Sequence, residues 1–509
     1  MKKALALLLA VLMLATLLAG CGGNTNPETP AADTSAADGE PAAINFDEEP
    51  YEVSIQFVGL FEENKNIANV EAALSAITKE KINCTVDIVP VFIGDLPTTT
   101  SLGVAGDEKL DIVVAGLTSP LDTMVNNEIL LPLDDLLETR GQGVKAVTEH
   151  VAAAQKINGV TYAVSGYPYA AMSGGFVYNK TLADQFGIDM HDGMTAEELT
   201  AAAAKCAENG VYFTTFGSSS QLNYKFLWGG DYFGTGGAFG GILNPAESTT
   251  VVNVFDSQEY RDYWKMIKSW NDAGYLPADQ LTDTTSVQEY FSQQHIFGTS
   301  TAFTPNQIAV WLNPNFETGI IRTGEPSIST AGAVEFMLGI AANCKRPDKA
   351  MDLINLIYTD ADVANLLQYG VEGTDYAPVE GTENVITYDG TENADHNSYY
   401  ASFVHYGDPT MLKIVAPLTD SFYDELKAFE NEAKYSQTFG YTFDGTPFSA
   451  EAGAIGSLLE QYLPALNAGQ VADVDAAVDE LVAALNAAGM QDAIDANQAA
   501  LDAWLAENK

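Results

Sequence analysis

From position 51 to position 115 the spacing of apolar residues switches repeatedly between a period of two and a period near 3.6. Tyr51–Gly59 (YEVSIQFVG) alternates and is rich in Val and Ile, which predicts a strand. Positions 69–82 carry Val70, Ala73, Leu74 and Ile77 at i, i+3, i+4 and i+7, one face of a helix. Positions 84–92 (CTVDIVPVF) return to a strand, 96–105 to a helix, and 110–115 (LDIVVA) to a third strand ended by Gly116. Strand, helix, strand, helix, strand in about 65 residues predicts a parallel sheet covered by helices.

The alternation of periods continues downstream. Positions 157–164 give two short strand-like runs about the Asn158-Gly159 turn signal, and Phe176 to Lys180 read as a strand running into a helix at 181–186. Thr195 three residues before Glu198 is a capping box that predicts a helix over 195–209. A second amphipathic helix, 258–273, carries Tyr260, Tyr263, Trp264, Ile267 and Trp270 on one face and ends at Gly274; Trp264 and Trp270 are read as core. Positions 334–342 predict a strand and 347–358 a helix with Pro347 in its first turn. From about 450 onward the Ala-, Leu- and Glu-rich sequence predicts three helices broken near Pro464 and Gly489.

The first 20 residues break this pattern. Lys2 and Lys3 precede an uncharged apolar run to Leu18, shorter than the roughly 20 residues that cross a bilayer, so they read as a signal peptide. Leu18-Ala19-Gly20-Cys21 resembles a bacterial lipobox, which implies lipidation of Cys21. Residues 21–50, rich in Gly, Asn, Thr, Pro, Ala, Asp and Ser, read as a disordered tether.

Composition narrows the function. The 509 residues call for two or three domains, and 47% hydrophobic residues for a folded body. The formal charge is −46, moving to −48 when Lys2 and Lys3 leave with the leader. Nucleic acid and anionic lipid headgroups are thereby poor partners, since both are held by clustered Lys and Arg. A neutral solute fits better than an anionic one. With Cys21 lipidated, Cys84, Cys206 and Cys344 remain at wide spacings that form no zinc motif; one bridge is open to them, and three buried thiols is the default reading.

The order of several blocks resembles the extracellular solute-binding proteins of ABC sugar importers, in particular the Gram-positive lipoprotein branch of family 1. The blocks are LLPLDDLL at 130–137, KINGVTYAV at 156–164, VYNKTL at 177–182 with FGID at 186–189, TAEEL at 195–199, RPDKAM at 346–351, LLQYGVEG at 366–373 and SLLEQYLPAL at 457–466. The resemblance implies an α/β, two-lobed fold like that of periplasmic binding proteins, with a helical C-terminal extension. It places lobe one at 51–164 plus about 297–342, and lobe two at 165–296 plus about 343–509. It implies a monomer without cofactor, metal or catalytic residues, anchored on the extracellular face through Cys21, which captures an oligosaccharide and delivers it to the permease subunits of the importer.

A pyranose presents apolar C–H faces and a rim of hydroxyls, so its site needs flat aromatics and paired polar groups. In open α/β sheets ligands sit beyond the carboxyl ends of the strands, which nominates Phe61 and Glu62 after the first strand, and Thr118 and Ser119 after the third. Tyr167 and Tyr169 flank Pro168 after the first crossover strand, where hinge packing is the competing reading. Trp228, Asp231 and Tyr232 surround Gly229 and Gly230, where a backbone can approach a ligand closely. Trp311 is a further candidate against plain core packing. Glu372 and Asp375 are candidates on the resemblance alone.

Two other classes remain open in the sequence. A peptide-binding lipoprotein leaves little side-chain trace, and a secreted glycoside hydrolase needs only two carboxylates from 69 acids. Against hydrolysis stand the lack of HExxH and G-x-S-x-G motifs and five scattered histidines, His150, His191, His295, His396 and His405. The chain has no Walker motif, and it lacks the repeats of a surface adhesin.

Overall fold

The computed structural model describes residues 43–59, 64–216, 224–401 and 406–508. Its elements begin with β1 (Tyr51–Gly59), α1 (Ile67–Ile82), β2 (Cys84–Phe92), α2 (Leu96–Ala105) and β3 (Ile112–Gly116). Next come β4 (Ala163–Ser165), β5 (Ala171–Asn179), α3 (Ala196–Glu208), α4 (Gln258–Asp272), β6 (Gly298–Phe303), β7 (Thr318–Arg322), β8 (Ser327–Ile328) and β9 (Phe336–Ile340). The chain closes with α5 (Pro347–Thr359), α6 (Ala361–Tyr369), β10 (Lys434–Tyr435) and the helices α7 (Ser449–Asn467), α8 (Val474–Ala487) and α9 (Met490–Asn508). Among the described residues no helix is long and apolar enough to cross a membrane.

The first lobe is built on a sheet in the order β2-β1-β3-β9-β4. β1 runs parallel to both neighbours, with Tyr51 opposite Cys84 and Gly59 opposite Phe92. Its residues 53–59 are all buried, as befits a central strand. β2 alternates between buried and more exposed positions, and its place at the edge of the sheet lets Pro90 sit there without breaking a ladder on a second side. Successive residues of β3 serve two cores: Ile112 and Val114 pack with β1 and α1, while Val113 and Ala115 pack with Leu121, Met124 and Leu130 on the other face. The buried Asp111 carboxylate accepts hydrogen bonds from Tyr51 Oη (2.9 Å), Ser54 N (2.9 Å) and Cys344 Sγ (3.1 Å). Cys84, Cys206 and Cys344 are free thiols.

The second lobe is centred on β5. β6 lies antiparallel along one edge, and β7 and β8 share the other, with β10 beyond β8. This pairing corrects the expected boundaries. The strands β6, β7 and β8 belong to lobe two because they hydrogen-bond to β5, and of the segment 297–342 only β9 joins the lobe-one sheet. The helices α5 and α6 also pack on lobe one: Met351, Ile354 and Leu367 share its core with β1, together with Tyr399 and Tyr406. Lobe two regains the chain at β10.

The capping box forms as predicted, with Thr195 accepting from Glu198 N and Thr195 N donating to Glu198. Trp264 and Trp270 are fully buried, each with its indole N–H satisfied, by Asn467 Oδ1 and Thr200 Oγ1, both at 2.8 Å. Asn467 lies on α7, so the C-terminal helices are stitched into the lobe-two core. They are three in number, but the first break falls at Gly469 (φ +66°), and Pro464 lies inside α7.

The end of the expected tether is structured. Ile44 packs on the lobe-one core, Asn83 Nδ2 donates to the carbonyls of Asn45 and Glu48, and Arg346 donates to the Glu48 carboxylate at 3.1 and 3.2 Å. Lys349, 1% exposed, places its ammonium 3.3 Å from Glu48 and 3.0 Å from the Ile82 carbonyl. Residues 43–50 are therefore a strap, contrary to the disordered reading of 21–50, because one carboxylate neutralises two cations that the core partly buries. The Arg346 hydrogen bond holds the Glu48 carboxyl below its ordinary pKa. Glu48→Ala is expected to cost about 1–2 kcal/mol in urea denaturation at pH 7. A carboxyl with a lowered folded pKa stabilises above its unfolded pKa, so the difference shrinks as pH falls through that lowered value.

Candidate functional site

Three connections pass between the lobes: residues 166–170 from β4 to β5, 329–335 from β8 to β9, and 416–433 leading to β10. Beside them lies a cleft of about 1880 Å³. Lobe one contributes the carboxyl end of β3, where Gly116 (φ +82°) turns the chain. A Cβ there would overlap the carbonyl oxygens of Val334 and Glu335, so glycine lets the second connection pass against the end of the strand. Leu117 N then donates to the Glu335 carbonyl at 2.6 Å. Gly116, Leu117 and residues 120–123 line the cleft from this side, and Glu335 lines it from the hinge.

Lobe two contributes the short helix Tyr224–Trp228 and the turn after it. A Cβ on Gly174 would overlap the Leu227 carbonyl oxygen, so the glycine in β5 lets this helix lie directly on the strand and present Trp228. The aromatic rings form a slab. Tyr224 stacks on Tyr260 at 4.8 Å and lies 5.3 Å from Trp228, and Tyr232 Oη is 3.1 Å from Tyr260 Oη. Lys225 holds its ammonium 5.5 Å from the centre of the Tyr232 ring.

Asp231 sits beside this slab. Its Oδ2 accepts from Ser436 Oγ at 2.6 Å and Thr438 Oγ1 at 3.2 Å, and no described residue donates to Oδ1. Burial pushes its pKa above the ordinary value, opposed by the two hydroxyls and by Lys225. Glu335 behaves alike: its side chain is reached by water from the cleft, yet the surrounding walls displace bulk solvent and raise its pKa, with Lys225 opposing. Asp122, Asp231, Glu247, Glu325 and Glu335 line the cleft against Lys225 and Lys434. That balance repels anionic solutes and leaves hydrogen-bond acceptors for hydroxyls. Among the described residues no group of three His, Cys, Asp or Glu is gathered to hold a metal.

Of the residues nominated from sequence, Tyr167, Trp228, Asp231 and Tyr232 line the cleft. Phe61 and Glu62 lie outside the described residues. The others are placed elsewhere. Thr118 turns its hydroxyl to the Ile93 carbonyl (2.8 Å), Ser119 is buried in the turn that pairs with Gly116, and Tyr169 packs 6.3 Å from the His150 ring. Trp311, 4% exposed, is core, edge-on to Phe291 at 5.7 Å. Glu372 lies in an exposed turn. Asp375, fully buried, joins loops by accepting from Asn66 Nδ2 (2.6 Å), Ser398 Oγ (2.6 Å) and Val371 N (2.7 Å). Sequence reasoning missed Lys225, Glu335 and the run 438–446. The run was findable: 439–443 (FGYTF) sets aromatics beside glycine, the criterion that picked out 228–233.

The chain is similar to known proteins along most of its length. The sequence model of a family described as "Bacterial extracellular solute-binding protein" matches residues 64–364, and a "Domain of unknown function (DUF3502)" matches 437–506. A carbohydrate ABC transporter substrate-binding protein of Streptococcus pneumoniae serotype 4 is 25% identical over 494 residues, covering 94% of this chain and 93% of the relative. The crystal structure of the N-glycan transport solute-binding protein NgtS from Streptococcus pneumoniae aligns with a TM-score of 0.76 at 24% identity, over 90% of this chain and 100% of its own. An HMO-binding, ABC-transporter-associated solute-binding protein from Bifidobacterium longum infantis aligns at 0.60 and 16% identity, over 90% and 100%.

Proposed function

Since the chain belongs to the bacterial extracellular solute-binding proteins, we propose that it captures a neutral oligosaccharide in the cleft between its lobes and delivers it to the permease of an ABC importer. The observation that carries this reading is the pairing of the Trp228–Tyr232 slab with the hydroxyl-held Asp231 carboxylate. The slab offers flat faces to pyranose C–H groups, and Oδ1 offers an acceptor to ring hydroxyls. The same cleft is roughly twice the upper end of the 300–1,000 Å³ usual for drug-sized ligands, which favours a ligand of several sugars. In this reading lipid attachment at Cys21 holds the body at the outer face of the membrane.

Binding closes the lobes on the sugar. Among the structural neighbours, NgtS is described in complex with Man1GlcNAc and with Man5GlcNAc, which supplies the glycans for a test. In this account the ligand-free protein is the open form.

The test is a thermal melt of the full chain with Man5GlcNAc, followed by recovery of the sugar. Ligand at about 100 times Kd is expected to stabilise the protein by about 2.7 kcal/mol, with the glycan recovered intact. Cleavage of the glycan would make the protein a hydrolase, and stabilisation by peptides alone would make it a peptide receptor. The role of Asp231 has its own signature. Removing a donor raises a carboxyl pKa further, so in Ser436→Ala glycan affinity is expected to fall on acidification at a higher pH than in the wild type.

A further inference from the structure

Resting on the glycan reading above, we infer that the C-terminal region 437–506, matched only as a domain of unknown function, supplies a second sugar subsite that selects longer oligosaccharides. The region does more than cover lobe two. Its first residues run back to the hinge, where Thr330 Oγ1 accepts from Gly440 N at 2.9 Å, and Thr438 holds Asp231. The run then enters the cleft and lines it with Thr442, Phe443, Thr446 and Ser449.

This second wall is built by other segments of the chain than the Trp228 helix and adjoins the turn after that helix, where Phe233 lies edge-on to Tyr441 at 5.8 Å. Phe443 packs edge-on to Phe239 at 5.3 Å, and a Cβ on Gly445 would overlap the Phe239 ring, so the run is pressed against that aromatic. Thr442, Thr446 and Ser449 are exposed, and none of their hydroxyls bonds to a described residue. Apolar ring faces beside free hydroxyls form the same pairing of surfaces as the first subsite. The wall is also fixed in place. Asn497 on α9 accepts from Tyr441 Oη at 2.8 Å and donates to the Phe239 carbonyl at 2.9 Å, joining the two runs that carry the subsite. A two-sugar ligand on the Trp228 slab leaves this wall empty, whereas a longer chain reaches it.

The experiment is calorimetric titration of the full chain with Man1GlcNAc and Man5GlcNAc, comparing wild type, Thr446→Trp and Trp228→Ala. Thr446 is exposed at the start of a single turn of helix, so the indole fills the subsite without entering the core; Phe443→Ala provides a second variant that removes the ring instead. The ratio of Man5GlcNAc to Man1GlcNAc affinity is expected to fall at least tenfold in T446W and F443A. In W228A both affinities fall together and the ratio stays within about threefold. An unchanged ratio in both C-terminal variants, with wild-type binding intact, overturns the subsite and leaves the glycan reading standing. Failure of the wild type to bind either glycan overturns the reading, and the subsite with it.

Discussion

Trp228→Ala is expected to cost about 2–3 kcal/mol of glycan affinity, roughly 30- to 150-fold, while the protein stays folded. The side chain is half-buried at the edge of the aromatic slab. Its ring is available to a ligand, and its helix is held by backbone rather than by the indole: Gly174 lets Leu227 sit on β5, and Thr323 Oγ1 donates to the Leu227 carbonyl. Removing the ring therefore removes stacking area without releasing the segment. Calorimetric titration with Man5GlcNAc, alongside a circular dichroism melt, separates the two effects. A variant that melts normally and binds as wild type would exclude Trp228 from the site.

The second large effect is on stability. Asn497→Leu is expected to lower the unfolding free energy by about 1–3 kcal/mol, because it strands the buried Phe239 carbonyl and leaves the Tyr441 hydroxyl only its bond to the backbone carbonyl of residue 497 at 3.1 Å. Asn497 is fully buried between α9 and the two cleft-lining runs, so water cannot replace the lost bonds. Urea denaturation measures the loss. Stability within about 0.5 kcal/mol of wild type would mean that the C-terminal helices are not locked to the cleft through this residue.

The local elements were readable because they depend on local spacing. The period of two in 51–59 and the capping box at Thr195 and Glu198 needed no distant partner. Trp264 and Trp270 declared themselves core by lying on one helical face. The lobe boundaries were not readable in that way. Residues 298–322 belong to lobe two because β6 and β7 register against β5, more than a hundred residues earlier, and nothing in an amphipathic helix such as α5 says which sheet its apolar face will meet. The strap failed for the same reason, since Glu48 looks like tether composition until Arg346 and Lys349 arrive beside it.

The site divides along the same line. Trp228, Asp231 and Tyr232 stood out because aromatics and a carboxylate cluster beside glycines within six residues. Glu335 is one acid among many, and it reaches the cleft only because Gly116 lets the hinge pass close to the end of β3. Asp375 shows the opposite error. The family resemblance alone made it a candidate, but its oxygens are committed to Asn66, Ser398 and Val371, so it holds loops together.

The central claim, capture of a neutral glycan by closure of two lobes, is tested most directly by small-angle X-ray scattering of the full chain titrated with Man5GlcNAc. The account predicts a saturable decrease in the radius of gyration that tracks the calorimetric isotherm. A radius unchanged at saturating, calorimetrically confirmed binding would contradict it.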